Sequence, residues 1–127
     1  MSFNFSPHHH LIIVQAELEG PAKTVVFSLA LDTGSSATMI KPGKLIAAGI
    51  DPNMSGKQVQ FTTGLGMATA PVVIAHRMTA LGTTRRAFPI LAFKLPPSAG
   101  VDGMLGLDFL RGLKLEIDFR AATLDLS

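Results

Sequence analysis

The residues best equipped for chemistry in this 127-residue chain are Asp32-Thr33-Gly34-Ser35, which end the apolar run Leu29-Ala30-Leu31. A carboxylate at the end of an apolar strand is costly unless it is hydrogen-bonded. Gly34 lets the backbone turn tightly, so that amide N–H groups face the carboxyl, and the Ser35 hydroxyl is a further donor at short range. A group held this way suits general acid–base work. The same four residues also read as an ordinary turn, because Asp, Gly and Ser are common turn formers for purely local reasons. Phosphoryl transfer fits less well, since no glycine-rich phosphate loop with its lysine is present.

The elements that must position Asp32 are short and mostly extended. Leu11–Gly20 and Lys23–Leu31 form two β-branched, apolar runs around Pro21, a hairpin that delivers Asp32 to its loop. Pro42 opens a short helix that Gly49 stops. Residues 57–81 read as two arms around the tip Gly64-Leu65-Gly66, and a further strand through 83–93 is expected to break at Pro89. Met104 and Leu105 form a brief apolar strand before a helix that starts near Leu107. Residues 113–120 alternate apolar and charged as a half-exposed strand does, with Leu124 and Leu126 returning beside it.

Composition bounds the rest. With 47% apolar residues the chain can fill one core, so residues 1–10 are expected to be a flexible lead-in and residues 11–127 a single domain. The 12 Gly and 8 Pro scattered between apolar runs favour an all-β fold with one or two short helices. No cysteine is present, which removes disulfides and thiolate chemistry. A net charge of +2 with dispersed basic residues points away from nucleic acid, and Arg85-Arg86 reads as a solvated turn or edge. His8-His9-His10, three adjacent rings, cannot all face one ion, so no metal site is expected there. No basic segment followed by a long apolar run is visible, and no stretch nears the roughly 20 apolar residues that span a bilayer. No membrane partner is therefore expected, and a cytoplasmic location is favoured.

The ordered set of Asp32-Thr33-Gly34-Ser35, a glycine-rich tip about thirty residues later and the Met104-Leu105-Gly106 segment leading into a helix resembles the retropepsin-like aspartic proteases, especially their small bacterial members. The resemblance spans about Leu11 to Leu126. It implies a closed, barrel-like fold active as a C2 homodimer, because two carboxylates must share a proton and this chain has a single Asp-Thr-Gly. It further implies an aspartic endopeptidase that cleaves polypeptides in extended, apolar segments and needs no metal or cofactor. A catalytically weak dimerisation or peptide-binding module is the alternative.

Residue roles follow from the same resemblance. Asp32 is the catalytic carboxylate, Thr33 crosses to the partner loop, and Gly34 presents backbone to the substrate. Ser35 stands where viral members commonly have Ala, and its hydroxyl is expected to stabilise the ionised pair. Gly64, Leu65 and Gly66 match the flap over the substrate, while Ala30, Met39 and Met104 match pocket-lining positions. Met104 also reads as plain core. Asp108 matches a polar residue that pins the last helix, and reads equally as an acid at a helix N-terminus. The C-terminal segment 115–127 is the expected dimer edge.

Overall fold

The computed structural model describes residues 1–63 and 65–127; Gly64 lies outside the described residues. Among the described residues, ten strands and two short α-helices follow in chain order. They are β1 (Ser2–Asn4), β2 (Ile13–Glu19), β3 (Thr24–Leu31), β4 (Met39–Ile40), α1 (Pro42–Ala47), β5 (Gln58–Thr63), β6 (Gly66–Ala80), β7 (Thr83–Ala92), β8 (Gly103–Leu105), α2 (Leu107–Leu110), β9 (Leu115–Asp118) and β10 (Thr123–Leu126).

Six strands close on themselves. The order β2-β3-β8-β4-β7-β6 is sealed by the antiparallel pairing of β6 with β2, which sets Ala16 opposite Ala80 and Glu19 opposite Arg77. Closure removes sheet edges around the barrel. β5 continues outward from β6 as the second arm of a long hairpin, with Thr63 opposite Gly66. Alternation explains which face is buried: Val14, Ala16 and Leu18 of β2 point inward, whereas Gln15 and Glu17 face water.

The core follows from that closure. Leu18, Leu29, Ile40, Leu45, Met78, Ile90, Leu105 and Phe109 are fully buried in one cluster, to which β10 adds Leu124 and Leu126. A smaller cluster of Met39, Ala70 and Leu91 lies at the root of the β5–β6 hairpin, with Phe61, Phe93 and Met104 packed against it. The Phe61 and Phe93 rings meet edge to face at 5.0 Å.

Three expectations are corrected. Residues 1–10 are not a loose lead-in along their length, because β1 pairs antiparallel with β10 and Phe5 is buried in the core. Pro89 does not break β7. The Leu91 N–H, two residues on and pointing the same way, donates to Thr38 O (3.0 Å) on the side away from β6, so Pro89 removes no bond to its partner Ile74. Arg85 is not merely solvated, since its guanidinium donates to the carbonyls of Phe109 (2.7 Å) and Arg111 (2.7 Å) and so caps the end of α2.

β10 lies between β1 and β9, so the outer edges of this three-stranded sheet belong to β1 and β9. The expected C-terminal edge is accordingly occupied on the β10 side by the N-terminal strand. No helix among the described residues is long and apolar enough to cross a membrane.

Candidate active site

Asp32 follows β3 directly, and its position is fixed by a strand from the far end of the chain. β3 runs parallel to β8, with Ala30 beside Met104 and Leu31 beside Leu105, and β8 in turn pairs with β4. The Asp32 N–H donates to Leu105 O (3.0 Å), extending that pairing by one bond into the loop. Within the loop the Gly34 N–H donates to Asp32 Oδ1 (2.9 Å) and the Ser35 N–H to Asp32 O (3.1 Å). One carboxylate oxygen is thereby oriented by backbone.

Gly34 does so in the expected tight turn, closed by the Ser35 N–H on Asp32 O, and without a left-handed backbone. A Cβ at this position would stand 3.2 Å from Asp32 Oδ1, so the small residue keeps space open beside the carboxylate. Ser35 differs from expectation. Its hydroxyl proton goes to Ala37 O (2.7 Å), which ties the loop to itself and leaves no donor for the Asp32 carboxyl.

Beneath the loop sits a polar network that sequence reasoning found only at one end. Thr38 is fully buried (0% exposed). Its hydroxyl donates to Asp108 Oδ1 (2.7 Å) and accepts from the Gly106 N–H (3.1 Å), while its own N–H donates to Asp108 Oδ2 (3.1 Å). Asp108 Oδ1 also takes the Phe109 N–H (2.9 Å). Asp108 therefore pins α2 to the segment entering β4, with every oxygen satisfied by short-range donors. Leu107 N–H closes the arrangement on Ser35 O (2.8 Å). Gly106 is required by proximity, since a Cβ there would come within 2.6 Å of the Ala37 carbonyl.

A cleft of about 380 Å3 opens above the loop. Asp32, Gly34 and Ser35 form its floor, Met39 and Met104 one side, and Phe61, Thr62 and Leu65 of the β5–β6 hairpin face them. Phe93, Leu95 and Pro96 complete the wall. Among these described lining residues Asp32 is the single ionisable one. A larger hollow of about 520 Å3 lies elsewhere, between residues 49–57 and Val72–His76, and contains neither Asp32 nor its loop. The chemistry-bearing residue thus decides which hollow matters, not its size.

The structure brings Asp32, Gly34, Ser35, Leu65, Met39 and Met104 together. Leu65 is wholly exposed at the hairpin tip. Met104 serves both readings, lining the cleft and packing on the small cluster. Thr33 is exposed on the loop and outside the cleft wall, Gly66 starts β6 with φ +120°, and Gly64 lies outside the described residues. Ala30 is buried in β3 beside Met104 and forms no part of the cleft lining. Phe61, Phe93, Leu95 and Pro96 were missed, since one residue of β5 and three in the segment after β7 form no local pattern together.

A second polar tie joins β3, the end of β4 and the segment before β8. Asp102 Oδ1 lies 2.7 Å from Lys41 Nζ, and Oδ2 accepts from the Ser28 N–H (3.0 Å). Burial works to raise the Asp102 carboxyl, but the bonds from Lys41 and Ser28 and the charges of Lys41 and Lys44 outweigh it and hold it below its ordinary value.

Comparisons with known proteins agree with this geometry. The sequence model of a family described as aspartyl protease matches residues 14–109, well over half of the chain, and includes both the Asp32 loop and the Thr38–Asp108 network. A search of the curated proteins finds no match. Among solved structures, the chain is similar to a retropepsin-like aspartic protease from Rickettsia conorii, with a TM-score of 0.74 and 16% identity over 99% of this chain and 88% of that one. The likeness is one of overall fold. The chain belongs to the aspartyl protease family and has the retropepsin-like fold.

Proposed function

We propose that the chain is an aspartic endopeptidase that works as a C2 homodimer, hydrolysing peptide bonds in extended, apolar-rich segments. The observation that carries this reading is Asp32 itself: it is oriented by backbone on the floor of an apolar cleft and is the one ionisable residue among the described residues that line it. Aspartic hydrolysis needs two carboxyls, so the second is Asp32 of the partner subunit.

Two such carboxyls close together cannot both ionise easily and titrate as a pair with one shared proton. The ionised member takes a proton from a water, whose oxygen attacks the scissile carbonyl carbon. The protonated member donates to the developing oxyanion, and collapse of the tetrahedral intermediate passes a proton to the leaving amine. Thr33, exposed on the loop, then reaches across to the partner's loop in the proposed dimer. The β5–β6 hairpin, carrying Leu65 to the cleft, acts as the flap over the substrate. Met39, Met104, Phe61 and Phe93 then favour apolar side chains in the bound peptide.

The test is cleavage of a peptide library between about pH 4 and 7 by the wild type and by Asp32→Asn, with oligomeric state measured on the same samples. We expect cleavage by a dimer and a loss of about 10²–10⁴-fold in kcat/KM in the variant with the dimer retained. Equal cleavage by both proteins would overturn the role of Asp32. Peptide binding by a dimer without cleavage would favour a binding module on the same fold.

A further inference from the structure

The cleft at Asp32 does not end at its apolar wall. Leu95 and Pro96 also form one side of a second hollow of about 350 Å3, so the two spaces share a partition. Their chemistry differs. The second hollow is lined by Lys41 and Lys94, with Asp102 as the acid among its described lining residues.

That acid is already engaged. Asp102 meets Lys41 Nζ at 2.7 Å with one oxygen and the Ser28 N–H with the other. Lys41 is neutralised in the same contact, while Lys44 adds another positive charge nearby. Lys94 is exposed and forms no ion pair among the described residues. The hollow therefore carries a net positive charge.

An extended peptide advances about 3.3 Å per residue and sends successive side chains to opposite faces. A peptide lying in the apolar cleft and running toward Leu95–Pro96 would bring an outer side chain to Lys94. We propose that this hollow is an outer subsite of the cleft that selects an Asp or Glu side chain on the bound polypeptide, with Lys94 as the specificity-determining residue. The proposal rests on the aspartic endopeptidase reading above. It makes the preferred substrate an apolar core with an acidic flank, where the apolar walls alone would imply no charge preference. An exposed pair of this kind contributes modestly to affinity and more to the choice among substrates.

The experiment uses peptides with one cleavable apolar core and Glu, Gln or Lys moved through each outer position on both sides. Cleavage is followed with the full chain and with Lys94→Ala and Lys94→Glu, and binding of the same peptides is measured on Asp32→Asn. We expect one position where Glu is favoured over Gln by about three- to fivefold at low salt, fading as salt rises. That preference should vanish in Lys94→Ala and turn toward Lys in Lys94→Glu. A preference that persists in Lys94→Ala, or Asp32-dependent cleavage with no acidic preference at any position, overturns the subsite alone. If Asp32→Asn cleaves as well as wild type, or if no peptide is either cleaved or bound, the endopeptidase reading falls and the subsite falls with it.

Discussion

The two sides of the cleft are built by opposite means. The floor, from Asp32 to Asp108, is held by a dense set of short polar bonds on top of the main core: Asp32 N–H to Leu105 O, Leu107 N–H to Ser35 O, and the Thr38–Asp108 pair. The roof, the β5–β6 hairpin, leans on a small apolar cluster in which Met39, Ala70 and Leu91 are buried and Phe61 meets Phe93. Directional bonds fix a carboxylate to within a fraction of an ångström. Side chains in a small cluster can slide, which suits the flap role proposed for this hairpin.

The contrast can be broken at either side. Thr38→Val keeps the shape and removes the hydroxyl, leaving the Gly106 N–H without its partner and Asp108 Oδ1 with the Phe109 N–H alone. We expect a loss of about 2–3 kcal/mol in chemical denaturation, with kcat falling more than KM changes. An unchanged midpoint would show that packing alone holds the floor. Phe93→Ala attacks the roof, where the aromatic pair and half-buried area amount to about 1–2 kcal/mol. Here KM for apolar peptides should rise while kcat changes little, and a loss of kcat equal to that of Thr38→Val would erase the distinction between the two sides.

The smallest effect tests the second polar tie. Asp102 has its carboxyl held below the ordinary value of 3.8, so its charge stabilises the fold above that pH and the contribution is lost as pH falls through the lowered folded value. Asp102→Asn retains an acceptor for the Ser28 N–H but puts an amide NH2 where the charged oxygen accepted from Lys41 Nζ. It should cost about 0.5–1.5 kcal/mol at pH 7, with the gap to wild type closing below about pH 4. A gap that stays constant with pH would assign the tie to shape instead of charge.

Much of the floor was legible in the sequence because its signals are local. The apolar run into Asp32, the hairpin before it, and the Met104-Leu105-Gly106 segment each occupy a few consecutive residues. The 113–120 alternation, likewise, requires no knowledge of partners. What escaped notice depends on distance in sequence. Three residues at Ser2–Asn4 hold too little pattern to announce a strand, and only β10, at the other end of the chain, makes one of them. The direction of the Ser35 hydroxyl is decided by the Ala37 carbonyl, and two candidate acceptors within a few residues cannot be ranked from composition. Pro89 misled because its cost depends on which way a missing N–H would point, and this is set by register against β6 and β4. The roof was legible as a hairpin but not as a wall, since Phe61 and Phe93 meet across thirty-odd residues.

The parallel pairing of β3 with β8 carries a consequence for the order of events during folding. Leu29 is registered against Gly103, and the Asp32 N–H donates to Leu105 O, so contacts that shape the loop span over seventy residues. Closing so long a segment is slow compared with forming the β2–β3 hairpin. A chain still emerging from the ribosome can therefore carry a finished hairpin that ends in a carboxylate without yet having a fixed loop. Asp32 therefore gains its fixed position only after residues 103–108 have been made and docked.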